Sequence, residues 1–511
     1  MAKAWPVARR YFRMLTGSLE VLAPIPPARC WPGRCGRCSV CRQRTKCFSA
    51  NLRQSKRFLD HPDMTDITRE VAQFVRGSRW FDLPAQVQHE AKRIFLNWLG
   101  CALGGSTHPA VPAAVAALAE LSGPPQATVL GQGIRMDIAS AALLNGLSAS
   151  AHAFDDTHLA TIAHPSAPSG AALLALAERQ PISGSAFLHA LVLANELQCR
   201  LSKALAVAPA HCHVGLYMTG ITGGFGVAAA VGKLIGLNLE QMIWAMGIAA
   251  TQAGGFRATH ASMCSGYVPA HAGRSGLVGA LMAAKGFTCS AHFLDGRNGF
   301  GDVFGAPTHL AALTDRLGEH FDCLDVAAKP YPAGVFIHPA IEACLALSVM
   351  DGVAPAAIEK VALRVHPLGV GLTGKTAPNN AYDAQISVYH WAAAALVNKA
   401  AGLREASDAC VADSRVVALR RKIVVNADES LQADGAVASV TLRDGTTRHA
   451  HVEHCLGSAA RPMSDQDLEM KFVAQLADGP LATRAQALIE ACWAIAEAPD
   501  VSHIAPGIWG R

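Results

Sequence analysis

The sequence predicts a mainly α protein: a large all-α helical domain, with a smaller α+β domain set into its C-terminal third. Three observations lead there. Of 511 residues, 51% are apolar, only 16% are charged and 6% are aromatic, a composition of closely packed buried helices. From Asp66 onward apolar residues recur at helical spacing, while most Gly and Pro fall between the periodic segments. After about residue 327 the period shortens: Val361, Leu363 and Val365 alternate as a half-buried strand, and Asp444-Gly445 supplies the tip of a hairpin.

Residues 1–63 read as a separate Cys/Arg-rich extension without helical or strand period, with Met64 as the effective start of the folded body. Cys35, Cys38, Cys41 and Cys47, preceded by Cys30, follow C-x2-C-x2-C-x5-C, a spacing at which thiolates ligate zinc or an iron–sulfur cluster. No second Cys/His pair stands close by, so an unstructured extension is the expectation. This segment also carries the basic charge, 13 Lys+Arg against 3 Asp+Glu, and leaves a mildly acidic body with 31 against 36. A nucleic-acid surface would have to sit in the extension, and none is expected of the body. Val214 to Gly232 has transmembrane length, but six glycines and several hydroxyls make it buried helix and loop rather than a membrane span. No secretory signal pattern is visible.

In the helical domain, taken as 64–326, Asp66 caps a first helix that places Ile67, Val71, Phe74 and Val75 on one face. Leu83-Pro84 opens a second, stopped by Gly104-Gly105. Further helices are expected near 109–121, 136–153, 168–180, 184–205, 225–236, 238–251 and 273–286. The α+β domain, 327–455, is expected to hold a helix near His338–Met350, strands about Val361–Val365 and Ile423–Val425, a helix over Asp383–Leu396 and a hairpin over Ala438–Val452. Beyond Arg461, helices over Leu468–Leu476 and Ala485–Ala498 return to the large domain, as segment 456–511.

The chemistry concentrates between Phe154 and Gly170. Asp155, Asp156, Thr157 and His158, then His164-Pro165-Ser166, pack carboxylates, hydroxyls and imidazoles into a dozen residues of a chain otherwise sparing with charge. Proton transfer needs such groups. The plainer alternative is a solvated interhelical loop in which Asp155 or Asp156 caps a helix. Gly224-Phe225-Gly226-Val227-Ala228-Ala229 satisfies a loose dinucleotide-binding pattern, but no strand precedes it. His211-Cys212-His213 diverges on a helix, so no metal is expected there. The cysteines beyond the extension fit reduced, buried thiols of a cytoplasmic protein.

With these residues laid out, the body from Met64 onward resembles the MmgE/PrpD family, home of 2-methylcitrate dehydratase, cis-aconitate decarboxylase and iminodisuccinate epimerase. The resemblance rests on Asn145-Gly146 before Phe-Asp-Asp-Thr-His, then His164-Pro165, Gly223-Gly224-Phe225-Gly226 and Gly232-Lys233-Leu234. It continues through Ser262-Met263-Cys264, Gly286-Phe287-Thr288, Lys329-Pro330-Tyr331-Pro332 and Tyr382 to Tyr389, in order over some 440 residues. It implies a large helical domain, a smaller α+β lid, a homodimer, and a cofactor-free active site between the domains. His164, Thr157, Lys329 and Tyr389 stand where the family has its site histidine, threonine, lysine and tyrosine. Three positions depart: Ala153 for an acidic residue, Tyr217 for a histidine and Ser265 for a lysine.

The expected chemistry is removal of a proton next to a carboxylate. His164 would act as base or acid, with Asp156 orienting an imidazole or sharing its proton and Tyr389 donating a proton or binding substrate. Thr157 and Lys329 would hold substrate carboxylates, with Asp155 ranked behind them; His338 and His271 are additional candidates. Together with these residues, the resemblance implies a cofactor-independent lyase of a small di- or tricarboxylate, most like a 2-methylcitrate dehydratase. A decarboxylase, an epimerase and a catalytically silent homologue are the rivals, the last because Ala153, Tyr217 and Ser265 remove three polar groups. No metal, nucleic-acid or membrane partner is expected.

Overall fold

The first helix begins where the sequence supplies a cap: Asp66 accepts the backbone N–H of Arg69 and opens α1 (Ile67–Gly77), whose Ile67, Val71 and Val75 are buried. This is a computed structural model, and it describes residues 66–504 apart from 209, 211, 214 and 306, with backbone alone at 307 and 308. The cysteine pattern of the extension and His211 lie outside the described residues.

The helical body continues with α2 (Ala85–Gly104), α3 (Ala110–Ala119), α4 (Ile138–Ser150), α5 (Ser166–Ala177), α6 (Gly184–Ala206), α7 (Met218–Leu234), α8 (Leu239–Ala250) and α9 (Cys264–Ala284). Asp137 caps α4, Ser183 caps α6, and Asn238 with Gln241 forms a reciprocal capping box on α8. At the centre α9 packs against α4, α5, α7 and α8.

Helices α7 and α9 begin about seven and nine residues earlier than the sequence reading placed them. Their first turns hold Gly220, Gly223 and Gly224, or Gly266 and Pro269, and each such glycine costs an isolated helix about 1 kcal/mol relative to alanine. Close packing outweighs that. A methyl group on Gly276 would lie 2.6 Å from Val227 Cβ and 2.7 Å from the Gly224 carbonyl oxygen, so α7 and α9 meet backbone to backbone. No helix among the described residues is long and apolar enough to cross a membrane.

A short hairpin, β1 (Ala127–Val129) with β2 (Ile134–Met136), was not anticipated; three-residue strands are too short to show a period. Strands β3 (Thr157–His158) and β4 (Val326–Ala327) pair antiparallel, which ties the loop after α4 to the chain just before Lys329.

The C-terminal region adds α10 (His338–Ser348) and a four-stranded sheet of order β6-β5-β7-β8: β5 (Ile358–Val365), β6 (Ile423–Ala427), β7 (Ala436–Leu442) and β8 (Thr447–Val452). β5 runs parallel to β6 and antiparallel to β7, and β7–β8 is the expected hairpin, with Gly445 at φ 85°. The expected helix over Asp383–Leu396 is broken. A short α11 (Ala381–Ala384) stops, Ser387 turns extended and caps α12 (Val388–Asn398) by accepting the N–H of His390, and Gln385 is released between them. Finally α13 (Asp465–Leu476), boxed by Ser464 and Asp467, and α14 (Ala485–Trp493) pack on α2.

Buried apolar side chains gather in one large cluster, from Ile67 to Cys323 and again from Met463 to Val501, in a second from Ala333 to Cys455, and in a small third one of Ala110, Val111, Leu143, Leu147 and Ala270.

Candidate active site

The loop leaving α4 is held by its carbonyls. Gln385 Nε2 donates to Ala151 O (3.1 Å), Lys329 Nζ to Ala153 O (3.0 Å), Lys471 Nζ to Phe154 O (2.8 Å), and the His164 ring to Asp156 O through Nδ1 (2.7 Å). Lys471 also sits 4.1 Å from the centre of the Phe154 ring. These side chains come from four distant stretches of chain, and together they fix a segment in which Ala153 adopts a left-handed φ of 51°.

The two aspartates then diverge. Asp155 faces a cavity of about 230 Å³, where its Oδ1 lies 3.2 Å from Lys329 Nζ and its Oδ2 accepts from Ser150 Oγ (3.1 Å). Asp155 and Lys329 are almost fully buried. Burial, the largest single influence, would raise the Asp155 pKa, but the Lys329 and His164 charges and the Lys329 and Ser150 hydrogen bonds together outweigh it, and the carboxyl is held below its ordinary range. Asp156 instead opens on a smaller neighbouring cavity with Glu90 and Asn97. Its Oδ1 accepts from Ser166 N (3.3 Å), its Oδ2 has no hydrogen-bond partner among the described residues, and burial, reinforced by Asp155, raises it to about 6.

His164 lines the larger cavity. Its backbone N–H donates to Thr219 Oγ1 (2.8 Å), and its Nδ1 lies between the Asp156 carbonyl and Thr157 Oγ1 (3.1 Å). A carbonyl only accepts, so Nδ1 carries the hydrogen and Nε2 is left unprotonated. Burial, then the nearby Lys329 charge, lowers its pKa to about 4.

The structure thus brings His164, Asp155 and Lys329 to one cavity. Thr157 is fully buried beside it and acts on His164. Asp156 touches His164 through its carbonyl, not its carboxylate. Tyr389 does not line the cavity; it packs on the second apolar cluster from the first turn of α12. His338 is buried with its Nε2 3.2 Å from Ala333 O, and His271 lies on α9 beside Ser275. Ala153, Tyr217 and Ser265, the three departures, all line the cavity.

Sequence reasoning missed Ser150, Arg257, His260 and Gln385, which also line it. Arg257 and His260 sit on an irregular stretch around a single 3-10 turn, Arg257–Thr259, where no periodicity can flag them. The available signal was an Arg and a His three apart in a Gly-rich loop between two apolar helices. Among the described residues the groups able to supply three metal ligands, Asp66/His292/Asp295 and His320/Asp322/Asp325, include no residue lining this cavity.

Burial makes a stability prediction. His152, His164, His189, His260 and His390 are pushed down to about 4 and His338 to about 3, burial being the first cause in each. Each contributes stability that is complete above its unfolded pKa of about 6.5 and is lost as pH falls toward the folded value. Asp156 at about 6 and Glu90 at about 7, both raised chiefly by burial, act oppositely and favour the fold on acidification. Six groups outnumber two, so the thermal midpoint is expected to fall steeply between pH 6.5 and 4 in a pH-resolved melting series; a flat profile would contradict neutral burial of these imidazoles.

Residues 69–312 match the MmgE/PrpD N-terminal domain and residues 331–495 the MmgE/PrpD C-terminal domain. A cis-aconitate decarboxylase-like protein, oryM, of Aspergillus oryzae is 34% identical over 230 residues, covering 43% of this chain and 48% of that protein. Cis-aconitate decarboxylase of Mus musculus is 27% identical over 430 residues, covering 80% of this chain and 86% of the relative. That of Aspergillus terreus is 25% identical over 450 residues, covering 82% and 91%. With both domains matched in order across the body that holds the cavity, the chain belongs to the MmgE/PrpD family.

Proposed function

We propose that the chain is a cofactor-independent lyase of a small polycarboxylate, and that its first reaction is decarboxylation of an acid resembling cis-aconitate. The observation that carries the reading is His164, fixed through Nδ1 with a free Nε2 on the wall of a cavity it shares with Lys329 and Asp155. The cis-aconitate decarboxylases that align over some 80% of the chain support decarboxylation ahead of dehydration.

When the C–CO2 bond breaks, its electron pair stays on carbon and spreads onto a neighbouring carboxylate. The Lys329 ammonium stabilises that charge in a water-poor site. The carbanion then takes a proton. His164 is neutral in the empty site, but a bound polycarboxylate brings negative charge beside it and raises its proton affinity, so it enters the bound state able to carry that proton. The residues 327–455 would close over the substrate as a lid, in a cytoplasmic homodimer.

A specific observation favours a second reading, the 2-methylcitrate dehydratase type: an unprotonated Nε2 is already a base, ready to take a proton next to a carboxylate and hand it to the β-hydroxyl, which departs as water. One experiment separates the two. The full chain is incubated in deuterated water with cis-aconitate, 2-methylcitrate and citrate, and followed by NMR. Decarboxylation gives CO2 and a product with one new C–D bond; dehydration gives an alkene without CO2. Neither turnover nor deuterium uptake across the three acids would overturn the lyase reading.

A further inference from the structure

The cavity holds two cationic side chains, and they are not equivalent. Lys329 is committed to Asp155 Oδ1 at 3.2 Å and Ala153 O at 3.0 Å. Arg257 is not. Its Nε donates to Leu216 O (3.2 Å), while its terminal nitrogens have no acceptor among the described residues. The backbone fixes its position: Arg257 N donates to Gly215 O (2.8 Å) and Tyr217 N to Gly255 O (3.0 Å), pinning segment 255–257 to segment 215–217. The Tyr217 ring lies edge-on to His260 (4.9 Å) and to His164 (6.0 Å), so one wall runs His164, Tyr217, His260, with Arg257 beside it.

The rest of the lining is largely apolar, from Ile162, Val335, Phe336, Leu372 and Ile386. With Lys329 and Arg257 cationic, Asp155 anionic and both imidazoles neutral, the cavity carries one net positive charge. Once binding protonates His164, that charge becomes two, so a dianion is balanced in the complex and a trianion leaves one uncompensated negative charge.

Resting on the reading that this cavity takes a small polycarboxylate, we propose that Arg257 receives a substrate carboxylate and that the substrate is a dicarboxylate, an analogue of cis-aconitate in which a hydrocarbon arm stands in place of one carboxylate. A guanidinium with two open N–H pairs holds a carboxylate in bidentate fashion. The arm would lie against apolar lining such as Ile162, Phe336 and Ile386, each buried methylene adding about fourfold in affinity.

The test is calorimetric binding of unreactive probes to the full chain: succinate, 2-butylsuccinate and propane-1,2,3-tricarboxylate. In the wild type, 2-butylsuccinate is expected to bind at least about tenfold tighter than either of the others. Arg257→Gln should weaken 2-butylsuccinate by about 10- to 100-fold, and Arg257→Lys by less, since a point charge without the fork keeps part of the attraction. Tightest binding by the tricarboxylate overturns the proposal. So does a twofold or smaller change in Arg257→Gln with an unaltered melting curve. Because the wild-type ligand series needs no variant, a misfolded Arg257→Gln does not blunt the test. Binding of 2-butylsuccinate through Arg257 with no turnover of any acid would uphold the proposal and sink the lyase reading. Turnover of cis-aconitate with no gain from the butyl arm would do the reverse.

Discussion

His164→Ala is expected to lower turnover by about 10²- to 10⁴-fold, the usual worth of a positioned general acid or base. The fold should survive it. The backbone N–H of His164 keeps its bond to Thr219 Oγ1, and the loss is confined to the ring contacts with Asp156 O and Thr157 Oγ1. One carbonyl left unpaired costs about 1–3 kcal/mol, a small shift in melting temperature for a chain of this size. A melting curve beside the kinetics separates a catalytic loss from a folding loss.

The pH profile of the wild type then says how His164 works. Burial and the Lys329 charge bring its pKa to about 4 in the free enzyme, so kcat/KM should show the His164 limb, on whichever side, low in pH. Bound carboxylates raise that pKa, so kcat should report a higher value. If the protonated imidazole is the working form, as decarboxylation requires, kcat falls as pH rises through the bound-state pKa. If the neutral form works, as in dehydration, kcat falls as pH drops through it. Either limb should vanish in His164→Ala; a limb that persists belongs to another group.

How much of this was legible in the sequence depends on how locally each feature is specified. The hairpin at Asp444-Gly445 and the cap at Asp66 were readable because turn and cap chemistry lives in a few adjacent residues. The early starts of α7 and α9 were not, because glycine counts against a helix until its partner helix is known, and Gly276 against Val227 is a contact 49 residues apart in sequence. Around the cavity, the Asp155–His164 stretch announced itself by density of polar groups in an apolar chain. Which aspartate faces the cavity did not, since that turns on the left-handed Ala153 and on lysines some 170 and 310 residues downstream. Arg257 escaped notice for the converse reason: it is a single charge in an irregular loop, significant only because folding leaves its terminal nitrogens without an acceptor among the described residues. Tyr389 shows the limit of transfer by position, for the same register places it on the first turn of α12, against the second apolar cluster.

The other large effect is on stability. Lys329→Met removes one partner of an ion pair in which both side chains are 4% exposed, and it is expected to cost about 3–5 kcal/mol at neutral pH because Asp155 is left charged and buried with Ser150 Oγ as its remaining partner. The sign of the pH dependence should also reverse at this residue. In the wild type Asp155 has a lowered folded pKa, so its contribution is present above the unfolded value of about 3.9 and is lost as pH falls below it. Without Lys329, burial dominates and the folded pKa rises above the unfolded one; the variant then loses stability as pH climbs through that raised value and recovers it on acidification. The gap in melting temperature between wild type and Lys329→Met should therefore be widest near pH 7 and narrow toward pH 5. Adding Asp155→Asn to Lys329→Met removes the stranded charge and should recover much of the loss, which gives the double-mutant cycle a large coupling energy. If the two single losses simply add in the double variant, the pair is not the unit that holds the loop. The carbonyl of Ala153, which Lys329 also binds, would then be the contact that matters.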